Sequence, residues 1–104
     1  MSDALAGLPM FGVRVTAESD GRGDHPAGAK AELLVLIKAP DLEQARSRTG
    51  ALLFHKTEWR HVTILDASPV RDRAVLPPWA MPSVEAAERG GFAYTVFLAG
   101  ASDA

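Results

Sequence analysis

The chain reads as an α+β domain, a two-layer sandwich in which a mostly antiparallel sheet carries two helices on one face. Three observations predict it. Met10–Glu18 and Thr57–Ala67 alternate apolar and polar residues with the period of two that marks a half-buried strand. Ala31–Ala39 and Phe92–Ala99 are strand-length runs of aliphatic, β-branched or aromatic residues. Between them lie two stretches with helix-opening signals, one at Asp41 and one at Ser83. A length of 104 residues supports one core rather than two, because a chain of this size buries roughly 65% of its unfolded surface. The composition, 47% hydrophobic and 23% charged, is that of a globular chain.

Residues 1–9 read as a mobile arm punctuated by Gly7 and Pro9. In 10–18, Phe11, Val13, Val15 and Ala17 share the face that should be buried. The stretch SDGRGDHPAGAK is rich in glycine, proline and polar residues and so is a loop, expected to close a hairpin. Ala31–Ala39 is apolar on both faces through its middle, which predicts a central strand covered on two sides. Asp41 then caps a helix, with Gln44 as the other half of a capping box and Leu42, Ala45, Thr49, Leu52 and Leu53 along one side. Gly50 costs about 1 kcal/mol against alanine in a helix, which predicts a short helix or a backbone passing close to it.

In Thr57–Ala67, strict alternation puts Trp59, His61, Thr63 and Leu65 on one side and Glu58, Arg60, Val62 and Ile64 on the other. The connector SPVRDRAVLPPWAMP has room for a short edge strand at Ala74–Leu76, and its four prolines argue against regular structure elsewhere. Ser83 should cap a short helix, Val84–Arg89, ended by Gly90–Gly91. The last strand is Phe92–Ala99, giving a single domain over 10–100 with a frayed tail at 101–104.

From 31 to 99 this order, strand, helix, strand, short strand, helix, strand, resembles the βαββαβ order of ferredoxin-like domains, with the 10–18 strand added before it. The resemblance is one of element order. It implies that the 31–39 strand is flanked on both sides by strands later in the chain, whereas 10–18 also expects to pair with 31–39 as a hairpin. The strand order therefore stays open between these two arrangements.

Charge and composition exclude several functions. Eleven basic against thirteen acidic residues, with the basic ones scattered, form no positive stripe for phosphates, so no nucleic acid is expected. The longest run of large apolar residues, Leu33–Ile37, is too short for a bilayer, and Asp3 stands where a signal peptide needs a cation, so a cytoplasmic protein is expected. No cysteine is present, which removes thiolate catalysis, disulfides and thiolate metal sites. No asparagine is present either, which removes asparagine-dependent acyl-phosphate chemistry. Eight arginines against three lysines, with 18 alanines, fit a GC-rich, bacterial gene.

The densest polar cluster is FHKTEWRHVTIL, Phe54–Leu65. A metal site of His55, Glu58 and His61 fails on geometry, because on a strand the two histidines lie roughly 20 Å apart and Glu58 faces away. No metal and no cofactor are expected. His61 remains a candidate proton-transfer group, with Trp59 or Arg60 orienting a small substrate, since its ordinary pKa is near neutrality. The bland alternative is that Trp59 and His61 belong to an ordinary sheet or dimer surface. The RGD at Arg22–Asp24 spells an adhesion tripeptide, but its glycines have a conformational reason to be in a loop, and Arg22 and His25 spoil the same stretch as a calcium loop. In LPPWAMP, prolines stiffen a segment that presents Trp79 and Met81, either to a partner or as a lid over the core edge.

These residues point to a small binding or assembly module, homodimeric through the sheet face that the helices leave open, with a protein or small-molecule ligand. The alternative is a cofactor-independent enzyme of the dimeric ferredoxin-like kind, using His61.

Overall fold

The computed structural model describes residues 7–72, 74 and 76–99, with 97–99 described by backbone alone. The elements are β1 (Met10–Ser19), β2 (Lys30–Lys38), α1 (Leu42–Lys56), β3 (Trp59–Pro69), a 3₁₀ turn (Pro78–Ala80), α2 (Met81–Gly90) and β4 (Phe92–Ala99). They form an α+β fold with one four-stranded sheet in the order β3-β1-β2-β4, each neighbouring pair antiparallel. Most of the arm 1–9 and all of the tail 101–104 lie outside the described residues. At the near end of that arm the Pro9 carbonyl accepts a hydrogen bond from Ala39 N–H at 3.2 Å.

The hairpin wins the competition over strand order. β1 pairs with β2 from Met10↔Lys38 to Glu18↔Lys30, and its other edge pairs with β3. β2 and β3 are both antiparallel to β1 and hence parallel to each other, a split βαβ unit with α1 as the crossover. β1 thus occupies a place beside β2 that the ferredoxin-like arrangement gives to a later strand. The short connector strand expected at Ala74–Leu76 has no counterpart at Ala74 and Leu76, which lie outside any strand; Arg73 and Val75 fall outside the described residues.

The helices are not on one face. α1 buries the i, i+4, i+8 row Ala45, Thr49 and Leu53 against Phe11, Val13 and Val15 of β1 and Leu33, Val35 and Ile37 of β2. α2 buries Val84 and Ala87 against Met10 and Leu36, which point the opposite way from the same two strands. The doubly apolar β2 is what permits this: its odd residues serve one core and Leu36 the other. The expectation of two helices on one flank failed because helix amphipathicity does not say which side of a two-faced strand a helix will choose. Covering is diagonal, with α1 over β3, β1 and β2, and α2 over β4 and β2.

Local signals account for the element ends. Asp41 caps α1 by accepting from Gln44 N–H at 2.8 Å. The helix runs through Gly50, where an added Cβ would meet nothing within 4 Å, so neither a short helix nor a close backbone explains that glycine. The buried Thr49 hydroxyl donates to the Ala45 carbonyl at 2.7 Å. α2 starts two residues before Ser83, because proline is accepted in a helix's first turn, and the Ser83 hydroxyl instead bonds the Thr95 hydroxyl of β4. Gly91 ends the helix at φ +86°, a left-handed conformation that glycine adopts without penalty.

Candidate functional site

The loop Asp20–Ala29 joins β1 to β2, and its backbone N–H groups need acceptors. Glu58, in the turn between α1 and β3, supplies them. Its Oε1 accepts from the Ser19 hydroxyl at 2.8 Å, Gly23 N–H at 3.2 Å and His25 N–H at 3.3 Å. Its Oε2 lies 3.1 Å from His25 Nδ1, and its backbone carbonyl accepts from Asp20 N–H at 2.8 Å. The Glu58 side chain is 8% exposed. Burial by itself raises a carboxyl's pKa, but the hydrogen bonds from Ser19 and His25 and the His25 charge outweigh it and hold Glu58 below the ordinary carboxylate value. A Cβ at Gly23 would sit 2.6 Å from the Glu58 carboxylate, so a larger residue there would push that side chain out of its present position.

Serine, histidine and glutamate meeting in one place invites comparison with a nucleophilic relay, and the geometry rejects it. The Ser19 hydroxyl is within hydrogen-bond distance of the Glu58 carboxylate and the His25 carbonyl rather than the imidazole, and Ser19 is buried. The cluster is a brace. It holds the loop against Trp59, whose ring lies 5.0 Å from that of His25, centroid to centroid.

The braced loop forms one wall of a cleft of about 420 Å³, shared with Arg22, Asp24, His55, Lys56 and Tyr94. A second cleft of about 570 Å³ lies on the other side of Lys56, floored by Ile37, Leu52 and Phe92 and bounded by Arg48 and the Gly90–Gly91 turn. Lys56 belongs to both, and Phe92 and Tyr94 share one side of β4 with ring centroids 6.3 Å apart. The two clefts meet at Lys56 and are together termed the groove between α1 and β4.

The groove follows from where α1 sits. With the row Ala45, Thr49, Leu53 on the sheet, the neighbouring row Arg48, Leu52, Lys56 overlooks β4, while Phe54 on the opposite flank lies under the Arg60 guanidinium at 4.6 Å. α1 leans towards β3, so Phe92, Tyr94 and Val96 are only half-buried. Among the described residues neither Arg48 nor Lys56 makes an ion pair.

The residues singled out from the sequence are dispersed. Trp59 is fully buried beneath α1, and its indole N–H has no partner among the described residues. His61 is exposed. It does not share a face with Trp59, because β3 carries two bulges: Glu18↔Arg60 is followed by Thr16↔Thr63, and Arg14↔Asp66 by Val15↔Ile64. Each bulge shifts the alternation by one, so the inward residues are Trp59, Val62, Ile64 and Ala67, and His61 takes the left-handed φ of +54° at the first. Arg60 is spent on structure, donating to the carbonyls of Thr57 and Trp59 at 2.8 and 2.9 Å and pairing with Asp20 at 3.0 Å.

Trp79 stands 46% exposed on the 3₁₀ turn, and Met81 packs half-buried against the smaller core. His55 is exposed on the last turn of α1, Glu58 is in the brace and His61 is on the sheet edge, so the three do not meet; no cluster of three metal-ligating side chains occurs among the described residues. Arg22 of the RGD is turned onto Asp20, its Nε 2.8 Å from Oδ2. Among the described residues no helix is long and apolar enough to cross a membrane. Two features escaped the sequence, the Glu58 brace and the groove. The only hint of the first was a glycine-rich loop with many N–H groups and no acceptor near it in sequence.

No family model, no curated protein and no solved structure matches this chain.

Proposed function

We propose that the chain is a small binding module whose ligand site is the groove between α1 and β4. One observation carries this: an apolar, aromatic floor of Leu52, Phe92 and Tyr94, rimmed by Arg48 and Lys56, which make no ion pair among the described residues, and walled by a loop braced through Glu58. A concave, mainly apolar site with a few placed polar groups is the common form of a small-molecule site. The braced wall lowers the entropy that binding must offset. Amide chemical-shift mapping with a chemically diverse set of small fragments tests it. Shifts should concentrate at 48–57 and 90–94, and shifts concentrated elsewhere on the protein overturn the assignment.

A second reading is self-association, and the exposure of Trp79 favours it. The sheet face opposite α1, which the sequence offered as the dimer surface, is covered at one end by α2, Val70 and Leu76. Its uncovered part carries the Arg14–Glu32 ion pair at 2.7 Å, a poor centre for a homodimer. A dimer contact would therefore centre on Trp79 and Met81. Sedimentation of Trp79→Ala should then show a lower association state with unchanged melting, whereas an equally monomeric parent sinks this reading. The enzymatic alternative has less support, because His61, Trp59 and Arg60 do not converge and His61 lines none of the three clefts at the α1–β4 groove and the β1 start.

A further inference from the structure

Within the binding reading, on which this inference rests, the groove also carries information about ligand chemistry. We infer that it takes an elongated apolar molecule ended by a carboxylate, with the carboxylate on Arg48 and the apolar body along Leu52 and Phe92 towards Lys56.

Three features select this class. First, Arg48, Leu52 and Lys56 are spaced four apart on α1, so a cation, an apolar residue and a second cation follow one another along the groove over about 12 Å at the helical rise per residue. A compact polar anion would leave the half-buried Leu52 and Phe92 uncovered. A neutral apolar molecule would meet a guanidinium it cannot satisfy. Second, the charge at the groove is available. The other cation in that wall, Lys38, is 6% exposed and paired with Glu88 at 2.9 Å, and Arg22 is paired with Asp20, whereas Arg48 is exposed and paired with no described residue.

Third, the two rim cations differ in what they suit. Lys56 sits in the last turn of α1, where a cation already complements the helix dipole and the nearby carbonyls disfavour an anion. Arg48 is mid-helix, clear of that field, and its planar fork matches a carboxylate through two parallel hydrogen bonds. The acidic groups near the groove also set direction. Asp24 and Glu58 line the Lys56 end, where Arg22 is already paired with Asp20, whereas at the Arg48 end the nearby carboxylate, Glu88, is paired with Lys38, which favours that end for an anionic head.

Calorimetric titration of the full chain at neutral pH with decanoate, and with decanol as its neutral counterpart, tests this below micelle-forming concentrations, with amide shifts recorded in parallel. Decanoate should bind with shifts at Leu52, Gly91 and Phe92. Arg48→Leu, an exposed substitution that keeps the helix, should weaken decanoate at least tenfold and leave decanol no weaker, and Arg48→Lys should recover part of the decanoate loss. If decanol binds the groove as tightly as decanoate and Arg48→Leu changes neither, the carboxylate assignment fails while the groove survives as a binding site. If neither probe moves the groove amides but the diverse fragments do, the carboxylate inference fails and the groove stands as a binding site; if no fragment moves them either, the binding reading fails with it.

Discussion

Beneath α1, residues from β1, β2, β3 and the helix itself, among them Val13, Val15, Leu33, Val35, Leu53 and Trp59, are sealed completely from water. Across the sheet, Met10, Leu36, Val84 and Ala87 form a second and smaller core under α2, and beyond it the same strands show Arg14, Glu32 and Thr16 to solvent. The two sides draw on one pair of strands, so the difference comes from what each helix brings. α1 offers fifteen residues and a continuous buried row, whereas α2 offers ten and reaches only one end of the sheet. Stability should therefore be concentrated on the α1 side, with the α2 side acting as a clasp. The groove exists because α1, the larger contributor, leans towards β3 and leaves β4 to be covered from the other side.

The sharpest way to break this comparison is to truncate one residue on each side. Leu53→Ala should cost about 2–5 kcal/mol in chemical denaturation, the usual range for a sealed leucine. Val84→Ala, which removes fewer buried groups from a thinner core, should cost about 1–2 kcal/mol at roughly 0.8 kcal/mol per methylene equivalent. Equal losses would mean that the two cores are energetically one.

The brace at the edge of the larger core gives an intermediate effect. Glu58→Gln keeps the shape but puts an amide NH₂ where the loop's donors converge, and should cost about 1–3 kcal/mol. Because the folded carboxyl titrates below its ordinary value of 4.5, its contribution is complete above that pH and is lost as pH falls through the folded pKa. The gap between the parent and Glu58→Gln in melting temperature should thus be full at neutral pH and shrink on acidification. A gap that stays constant down to low pH would show that the charge is not what holds the loop.

The smallest effect has the opposite sign. Gly50 lies within α1, where an added methyl meets nothing, so Gly50→Ala should stabilise by up to about 1 kcal/mol through reduced backbone entropy in the unfolded chain. A destabilised variant would mean that α1 is held in a geometry alanine does not tolerate.

Much of the fold was legible because it rests on short-range pattern. The alternation in 10–18 named Phe11, Val13, Val15 and Ala17 as the buried face, Asp41 announced the start of α1, and Gly90–Gly91 marked the end of α2. The site was far less legible. His61 and Trp59 were expected on one face because alternation assumes an unbroken pleat, and a bulge gives no warning in composition, least of all one whose left-handed residue is a histidine. Alternation put Glu58 on one strand face with Arg60, Val62 and Ile64 and gave no sign of the brace, since its partners lie 33 to 39 positions earlier in the chain.

What the amino-acid sequence determined by itself was the four strands of the sheet, the two helices and a loop that must turn, each encoded locally by periodicity, capping and glycine placement, although the short strand it also offered at Ala74–Leu76 did not form at Ala74 or Leu76. The tertiary structure alone decided which face each helix covers, where β3 slips its register and which acceptor satisfies the loop. Those outcomes depend on competition between surfaces far apart in the chain, and a doubly apolar strand such as β2 satisfies either side until the helices have docked.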